Sequence, residues 1–375
     1  MMSTRHFDLA VIGGGIVGAW AAYLAATRFR NVRTVLIERS VVGAGATSRS
    51  AGVSLPVGRT PWVQNLVARS VILQREILER LSVTPHPTKA LWVFEAASAA
   101  SLQSSLIGFK LAALSADEQT LLGRALPTLT LGLGEIVCAG GMALTFDAAE
   151  LARALVAYAR GSDNVVCWEG LDVVSTVTSS EGLRLALSDG TSLFASKAIL
   201  TVGPWILGGL GTAAARNRRL RIKKVAALHL DMKPEQDAPA VFFPGSDAYL
   251  MPMPNRRQWL FSFRSEEWDC EPQSPNVRLT RQDRETAGEV LNRYLPGGIE
   301  SCRGGRVFCD AYSPTGEPIV NCHPEHPALV VANAGAGAGF RMAPGLAETA
   351  ILMATHCAVD SCHSDSGRND LGGGL

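Results

Sequence analysis

The chain opens with two short apolar runs separated by a glycine-rich turn and a helical pattern. Residues 7–12 are mostly apolar and lead into glycines at 13–18, and a second apolar run at 35–37 ends at Glu38. A short apolar run that stops at glycines is typical of a buried parallel strand. The pattern therefore predicts a strand, a tight turn, a helix and a second strand that ends in a carboxylate.

The glycines of this turn are spaced as in dinucleotide-binding proteins. Gly13 permits the tight turn, Gly15 lets backbone N–H groups approach a pyrophosphate, and Gly18 lets the helix pack on the strand. The helix N-terminus adds partial positive charge near the phosphates. Glu38 follows 20 positions after Gly18 and can accept hydrogen bonds from a ribose. These features predict a dinucleotide site, and a glycine-rich turn in some other α/β protein is the alternative.

Helical and strand-like patterns continue in blocks along the rest of the chain. Thr60-Pro61 is predicted to start an amphipathic helix, and Asp147 with Glu150 is predicted to start another. The remaining pattern predicts strands at 165–168, 198–202 and 328–333, a meander between the first two, β-rich stretches over 221–263, and helices over 283–295 and 344–356.

The order of these blocks predicts an α/β protein with two interleaved domains. One is a Rossmann-like nucleotide-binding domain, and the other is an α+β domain with a large antiparallel sheet. A length of 375 residues also exceeds the usual limit of a single core. The predicted nucleotide-binding domain comprises 1–84, 141–215 and 301–356, the second domain comprises 85–140 and 216–300, and the polar, glycine-rich tail 357–375 is predicted to be disordered.

Composition and charge exclude several classes of function. A net charge of +1 offers no general attraction to nucleic acid or to an anionic membrane. No apolar run reaches 18 residues, so no membrane span is predicted. The basic run at 216–224 lacks interleaved aromatic residues and is interpreted as a solvated linker. Eight cysteines without a C-x-x-C pair favour reduced thiols in a cytoplasm and no metal site.

A second glycine-rich segment favours a flavin over NAD. Gly335, Gly337 and Gly339 precede the last predicted helix, far along the chain from the first turn. The pyrimidine end of a flavin gains negative charge on reduction, and a helix N-terminus pointed at it would stabilise that charge. A glycine-rich loop without such a role is the alternative.

Seven stretches, in the same order along the chain, resemble the FAD-dependent amine and amino-acid oxidoreductases of the D-amino-acid-oxidase superfamily, with a pattern similar to glycine oxidase and monomeric sarcosine oxidase. The resemblance extends from residue 6 to about residue 355. It implies that the nucleotide-binding domain is a Rossmann-like FAD-binding domain of the glutathione-reductase type and that the second, α+β domain is the substrate domain. The stretches lie at 11–18, 43–52, 145–147, 198–205, 249–252, 313–319 and 337–345.

The resemblance implies which residues contact FAD. Gly13, Gly15, Ile16, Val17 and Gly18 would hold the pyrophosphate, and Glu38 with Arg39 the adenosine. Further cofactor contacts are implied for Ala46, Thr47, Ser48, Arg49, Val173, Gly337, Gly339, Phe340 and Arg341. Cys309 lies one position from the site where some relatives attach flavin covalently, and non-covalent FAD is favoured because the register differs.

Four residues are implied to line the substrate site or act in it. Tyr249 matches a tyrosine of the glycine oxidase cavity, Arg341 matches a lysine that holds the carboxylate in sarcosine oxidase, and Arg264 matches a histidine of the same pocket. Asp310 stands where glycine oxidase has a carboxylate-binding arginine, so glycine and sarcosine are expected to be poor substrates. The alternatives are a buried Arg264–Asp310 salt bridge, an Arg341 that reaches solvent, and a Tyr249 that belongs to the sheet core.

The implied reaction is oxidation of a C–N bond. Hydride would pass from the carbon next to nitrogen to flavin N5, and the resulting imine would hydrolyse. Expected substrates are an amino acid, an N-alkyl amino acid or a related amine, with O2 or another electron acceptor. The alternative is a flavin-carrying electron-transfer subunit of a heteromeric amino-acid or opine-type dehydrogenase, and a homo-oligomer is equally open.

Overall fold

The structure, a computed structural model, describes residues 5–356. Its strands are β1 (Arg5–Ile12), β2 (Thr34–Glu38), β3 (Val53–Ser54), β4 (His86–Glu95), β5 (Ala112–Ala113), β6 (Glu135–Thr145), β7 (Val165–Glu169), β8 (Val173–Ser179), β9 (Gly182–Leu187), β10 (Ser192–Leu200), β11 (Arg221–Leu230), β12 (Ala240–Phe243), β13 (Ala248–Met253), β14 (Gln258–Phe263), β15 (Cys302–Tyr312), β16 (Ile319–Cys322) and β17 (Leu329–Asn333). Its α-helices are α1 (Ile16–Arg28), α2 (Ala46–Arg49), α3 (Pro61–Leu78), α4 (Ala99–Ser105), α5 (Ala116–Ala125), α6 (Ala148–Arg160), α7 (Thr212–Asn217), α8 (Arg281–Tyr294) and α9 (Gly339–His356). The predicted tail, 357–375, lies outside the described residues.

The first apolar run becomes a central strand of a mainly parallel sheet. The strand order is β16-β17-β10-β1-β2-β7, and β1 pairs in parallel with both β10 and β2. The predicted meander forms β8 and β9, which extend the sheet. β9 pairs antiparallel with β10, and β8 pairs antiparallel with β9. Helices α1, α6 and α9 cover one face through a shared core that includes Trp20, Leu155 and Ala347.

The second sheet has the order β15-β11-β14-β13-β12-β4-β6-β3 and is antiparallel except where β12 meets β4. Alternate residues of its strands point to opposite faces. Leu228 and Phe261 pack with α5 and α8 on one face, whereas Ala227 and Phe242 belong to a separate cluster on the other. The two sheets and their interleaved order confirm the predicted fold class.

The predicted domain boundaries differ from the observed sheets at two strands. β15 pairs with β11 along most of its length, and residues 141–145 of β6 pair with β3 and β4. Both segments therefore belong to the second sheet, whereas the prediction placed them in the FAD-binding domain. An alternating pattern identifies a strand, but it does not identify the sheet in which that strand pairs.

The helix starts that rest on capping residues are confirmed. Thr60 Oγ1 accepts a hydrogen bond from the Val63 backbone N–H, and Asp147 Oδ1 accepts one from Glu150 at 2.9 Å. The last helix instead begins at Gly339, five residues before the predicted start. Pro344 suggested a first helical position, but it lies inside the helix, where it removes one i→i−4 backbone hydrogen bond.

Candidate functional site

The glycines of the first turn differ in their surroundings: one is required by packing within the protein, and another borders open space. Gly13 has a φ of +105°, and a Cβ added to Gly18 would lie 1.9 Å from the Gly13 carbonyl oxygen. Packing between α1 and β1 therefore requires Gly18. A Cβ on Gly15 would meet only the Thr47 hydroxyl, at 3.4 Å. The protein itself does not require glycine at position 15, which fits a cradle for the phosphates at the start of α1.

The end of β2, where the adenosine is predicted to bind, forms one side of this turn. Glu38 Oε2 accepts a hydrogen bond from the Gly14 N–H at 2.6 Å, and Oε1 accepts one from Ser40 at 2.9 Å. The Arg39 guanidinium lies 4.3 Å from the centre of the Trp205 ring. In the amide orientation that satisfies its neighbours, Gln273 accepts hydrogen bonds from Arg39 Nη1 at 2.7 Å and Trp205 Nε1 at 3.2 Å.

A cleft of about 970 Å³ joins this region to the second glycine-rich segment. That volume lies near the upper end of the range of roughly 300–1,000 Å³ typical of ligand sites. Three of the predicted cofactor residues do not line the cleft, namely Gly18, Ser48 and Arg341. Those that do line it are Gly13, Gly15, Ile16, Val17, Glu38, Arg39, Ala46, Thr47, Arg49, Val173, Gly337, Gly339 and Phe340.

Asp310 organises the end of the cleft that adjoins the second glycine-rich segment. Its Oδ2 accepts a hydrogen bond from the Gly337 N–H at 2.7 Å, and its Oδ1 accepts one from Ala311 at 2.8 Å. Burial raises the pKa of the Asp310 carboxyl to about 6, although both hydrogen bonds act in the opposite direction. Asp310 therefore holds the loop before α9 in place, in addition to lining the cleft.

The alternative of a buried Arg264–Asp310 salt bridge is wrong. Arg264 Nε pairs with Glu266 Oε1 at 2.7 Å, and the Arg264 side chain is 57% exposed. The residue follows the last residue of β14 and extends towards solvent, so the structure does not place it as an interior anchor for substrate.

The raised pKa of Asp310 predicts a pH-dependent contribution to stability. An unfolded aspartate has a pKa of about 3.9, so between roughly pH 4 and 6 the folded protein keeps a proton that the unfolded chain has released. The contribution of Asp310 to the free energy of unfolding should therefore fall as pH rises through this window and level off above about pH 7. Thermal unfolding of the wild type and Asp310→Asn from pH 4 to 8 measures it. A melting-temperature difference that does not vary with pH would contradict the expectation.

Tyr249 and Arg341 lie on different elements, and neither lines the cleft of about 970 Å³. Tyr249 belongs to β13, with its ring centre 5.6 Å from that of Phe242. Arg341 lies in the first turn of α9, and its buried Nε has no hydrogen-bond partner within residues 5–356. Burial raises the pKa of Tyr249, while a side-chain hydrogen bond with Ser262 and the positive charges of Arg306 and Arg341 oppose this shift. Tyr249 thus joins an apolar cluster through its ring, and Arg306 and Arg341 lie near enough for their charges to act on its hydroxyl.

The sequence reasoning missed Arg306 and His229, which lie on the same face of the second sheet as Tyr249. Arg306 Nε donates to His229 Nε2 at 3.3 Å, and burial lowers the pKa of both side chains. Arg306 precedes Asp310 by four positions on β15, so both side chains point to the same face. This period-two spacing was the signal that could have identified Arg306.

Cys309 is a poor candidate for a covalent flavin link. Its side chain is buried with Ile222 and Ala311 in the core beside the first sheet. Burial raises the pKa of the Cys309 thiol to about 12, and the neighbouring Cys270 adds to the effect. Because the thiolate is the reactive form, these surroundings favour non-covalent binding.

Residues 5–356 contain neither a metal-binding cluster nor a membrane-spanning helix. No group of three or more His, Cys, Asp or Glu side chains there is arranged to hold a metal ion. No helix in this part of the chain combines the length and apolar character needed to cross a bilayer.

Comparison with known proteins gives a family match and several structural similarities. The family described as FAD dependent oxidoreductase matches residues 8–352. Glycine oxidase from Geobacillus kaustophilus is 19% identical with a TM-score of 0.73, covering 94% of this chain and 95% of that one. L-proline dehydrogenase from P. horikoshii is 17% identical with a TM-score of 0.77, covering 94% of each.

Two further similarities are to enzymes that act on glycerol phosphates. Dithionite-reduced L-alpha-glycerophosphate oxidase from Mycoplasma pneumoniae, with FAD bound, is 13% identical with a TM-score of 0.75, covering 93% of this chain and 95% of that one. Glycerol-3-phosphate dehydrogenase 2 of Mycobacterium bovis is 33% identical over 93 residues, which is 24% of this chain and 15% of that protein. The curated match is therefore local, and the structural matches show the fold alone.

Proposed function

The chain belongs to the family of FAD dependent oxidoreductases, and from this premise we propose that it oxidises a C–N bond of an amino acid, an N-alkyl amino acid or a related amine. When bound, FAD supplies the electron acceptor, taking hydride at N5 from the carbon next to nitrogen. The cradle at Gly15, the carboxylate of Glu38 and the loop from Gly337 to Gly339 are the parts of this chain that fit the cofactor.

One observation carries the choice of an amine as substrate: the candidate bases His229, Asp247 and Asp310 are already engaged by other groups within residues 5–356. His229 accepts a hydrogen bond from Arg306, and both carboxylate oxygens of Asp310 accept backbone hydrogen bonds. Oxidation of a neutral amine asks for positioning more than for proton transfer by the protein. Removal of hydride from an alcohol also requires a group that takes the hydroxyl proton.

Arg341 and Tyr249 supply the positioning. A charge-assisted, bidentate contact from the Arg341 guanidinium suits a substrate carboxylate and directs the amine end towards the cleft. The apolar cluster around Phe242, Leu260 and Met251 keeps water from this side of the cavity. Asp310, which lines the cleft near its flavin end, would repel a carboxylate bound as in glycine oxidase, so glycine and sarcosine should be poor substrates.

Anaerobic bleaching of the flavin tests the proposal directly. The purified chain, with FAD quantified after release by acid, is mixed with D-, L- and N-methyl amino acids, carboxyl-free amines and glycerol 3-phosphate. We expect bleaching by at least one amino acid or N-alkyl amino acid, followed by reoxidation with O2 or an added acceptor. Bleaching by the phosphate alcohol alone would contradict the proposal. Yellow protein that no amine bleaches would favour the alternative of an electron-transfer subunit.

A further inference from the structure

The second sheet carries a row of opposed residues with large polar side chains at its ends and small ones in its middle. Arg306 on β15 lies opposite Ala227 on β11, and Ala227 lies opposite Ser262 on β14. Ser262 lies opposite Tyr249 on β13. Directly opposed residues point to the same face, and neighbouring strands lie about 4.8 Å apart. The small Ala227 side chain therefore leaves a trough beside Arg306, and the Tyr249 hydroxyl, hydrogen-bonded to Ser262, lies at its other end.

Two hydrogen bonds orient the Arg306 guanidinium in this trough. Its Nη1 donates to the Ser50 backbone oxygen at 3.0 Å, and its Nε donates to His229 Nε2 at 3.3 Å. Ser50 follows α2 and lines the cofactor cleft, so the guanidinium lies beside that cleft. Within residues 5–356, Nη2 makes no hydrogen bond and no ion pair. Both N–H groups of Nη2 on an oriented guanidinium therefore remain for a ligand.

The carboxylates near Arg306 and Tyr249 interact with other groups. Asp147 caps α6 by accepting a hydrogen bond from Glu150, and Asp247 lies 3.7 Å from Arg59. Arg306 forms no ion pair with any residue of the described chain. Burial of a cation without a partner is costly. An anionic ligand would relieve that cost.

Arg341 is a second cation close to Tyr249, and it comes from a different element. It lies in the first turn of α9, whereas Arg306 lies on β15. The charges of both oppose the raised pKa of the Tyr249 hydroxyl, so both guanidinium groups lie near this tyrosine. Neither cation forms an ion pair within residues 5–356.

We infer that Arg306 forms a second anion-binding subsite, so that the substrate carries an acidic group in addition to the carboxylate held by Arg341. This inference rests on the function proposed above. Amino acids with an acidic side chain and N-carboxyalkyl amino acids are the substrate classes that carry both groups. Arg306 is then a specificity-determining residue, with His229 and the Ser50 carbonyl fixing its orientation.

Binding of carboxylates that cannot be oxidised tests this subsite independently of turnover. The FAD-loaded full chain is titrated calorimetrically with dicarboxylates from malonate to adipate, each paired with the monocarboxylate of equal length. We expect the best-fitting dicarboxylate to bind the wild type at least about tenfold more tightly than its partner, because it gains a second charge-assisted contact. Arg306→Met should bring the ratio of the two Kd values close to one. Arg306→Lys keeps the charge without the planar fork and should give an intermediate ratio.

Arg303→Met is the matched control. Arg303 lies on the same strand, is exposed, and donates to the Glu300 backbone oxygen, so its loss should leave the ratio unchanged. A wild-type ratio near one for every chain length, or a ratio that survives in Arg306→Met, would overturn the inference. If Arg306→Met does not retain FAD, the wild-type and Arg306→Lys ratios decide. Failure of the proposed function would look different, because no amine would bleach the flavin while dicarboxylates still bound selectively.

Discussion

Arg341→Met should raise the KM for an amino-acid substrate about 100-fold and change the KM for a carboxyl-free amine less than about threefold. The Arg341 Nε atom is buried without a hydrogen-bond partner in the described chain, and burial lowers the pKa of the guanidinium. A cation in the first turn of a helix is also disfavoured by the helix dipole. Loss of its charge-assisted contact with a carboxylate should cost on the order of 2–3 kcal/mol, which corresponds to about 100-fold.

Steady-state kinetics on an N-methyl amino acid and the matching amine without its carboxylate provide the comparison. Arg59→Met is the control, because the Arg59 side chain is 78% exposed and its charge acts on Arg341 only from a distance. We expect it to change either KM by less than about threefold. An equal rise in KM for both substrates of Arg341→Met would show that Arg341 does not hold the carboxylate.

Gly15→Ala should weaken FAD binding about 100-fold and leave the fold intact. The added methyl group would meet only the Thr47 hydroxyl, at an ordinary contact distance, so the protein has room for it. The same methyl group would stand where a pyrophosphate approaches the N-terminus of α1. Loss of one or two charge-assisted hydrogen bonds to the phosphates gives an effect of this size. The Kd for FAD follows from quenching of flavin fluorescence, and circular dichroism reports the fold.

Two other glycines separate the effects of cofactor contact and of packing. In Gly18→Ala the added Cβ would lie 1.9 Å from the Gly13 carbonyl oxygen, so α1 must shift and the melting temperature should fall. Gly123 is exposed on α5 with no atom within 4 Å of an added Cβ, and Gly123→Ala should keep both FAD binding and stability. FAD binding by Gly15→Ala at wild-type affinity would show that the pyrophosphate does not approach this turn.

The elements that sequence predicted well are those specified by neighbouring residues. The turn at Gly13 and Gly18 and the capped start of α6 depend on contacts within a few positions, so their signals survive without tertiary information. The pairing of β15 with β11 joins residues about 80 positions apart in the chain. No local pattern encodes that choice, and for this reason the predicted domain boundary at 301 does not follow the pairing of β15 with β11.

The candidate site likewise contains residues that a local motif predicts and residues whose position depends on tertiary packing. Glu38 and Gly337 follow from short motifs and lie in the cleft as predicted. Arg264 was assigned by alignment at the end of a strand, where a shift of one residue turns a side chain from the cavity to solvent. Gln273, which bridges Arg39 and Trp205, lies in a loop between β14 and α8 that carries no motif. Its position depends on how the second sheet packs over the cleft.

The interleaving of the two sheets has a consequence for the order of folding. The glycine turn lies within the first 18 residues, but its strand β1 pairs with β10 near residue 200, and β10 pairs with β17 near residue 330. Contacts so distant in sequence form late and slowly. During synthesis the sheet that supports the nucleotide-binding turn therefore cannot be completed until almost the whole chain has been made. A fragment that keeps every residue of the first motif but stops before β17 should neither complete the sheet nor retain the cofactor.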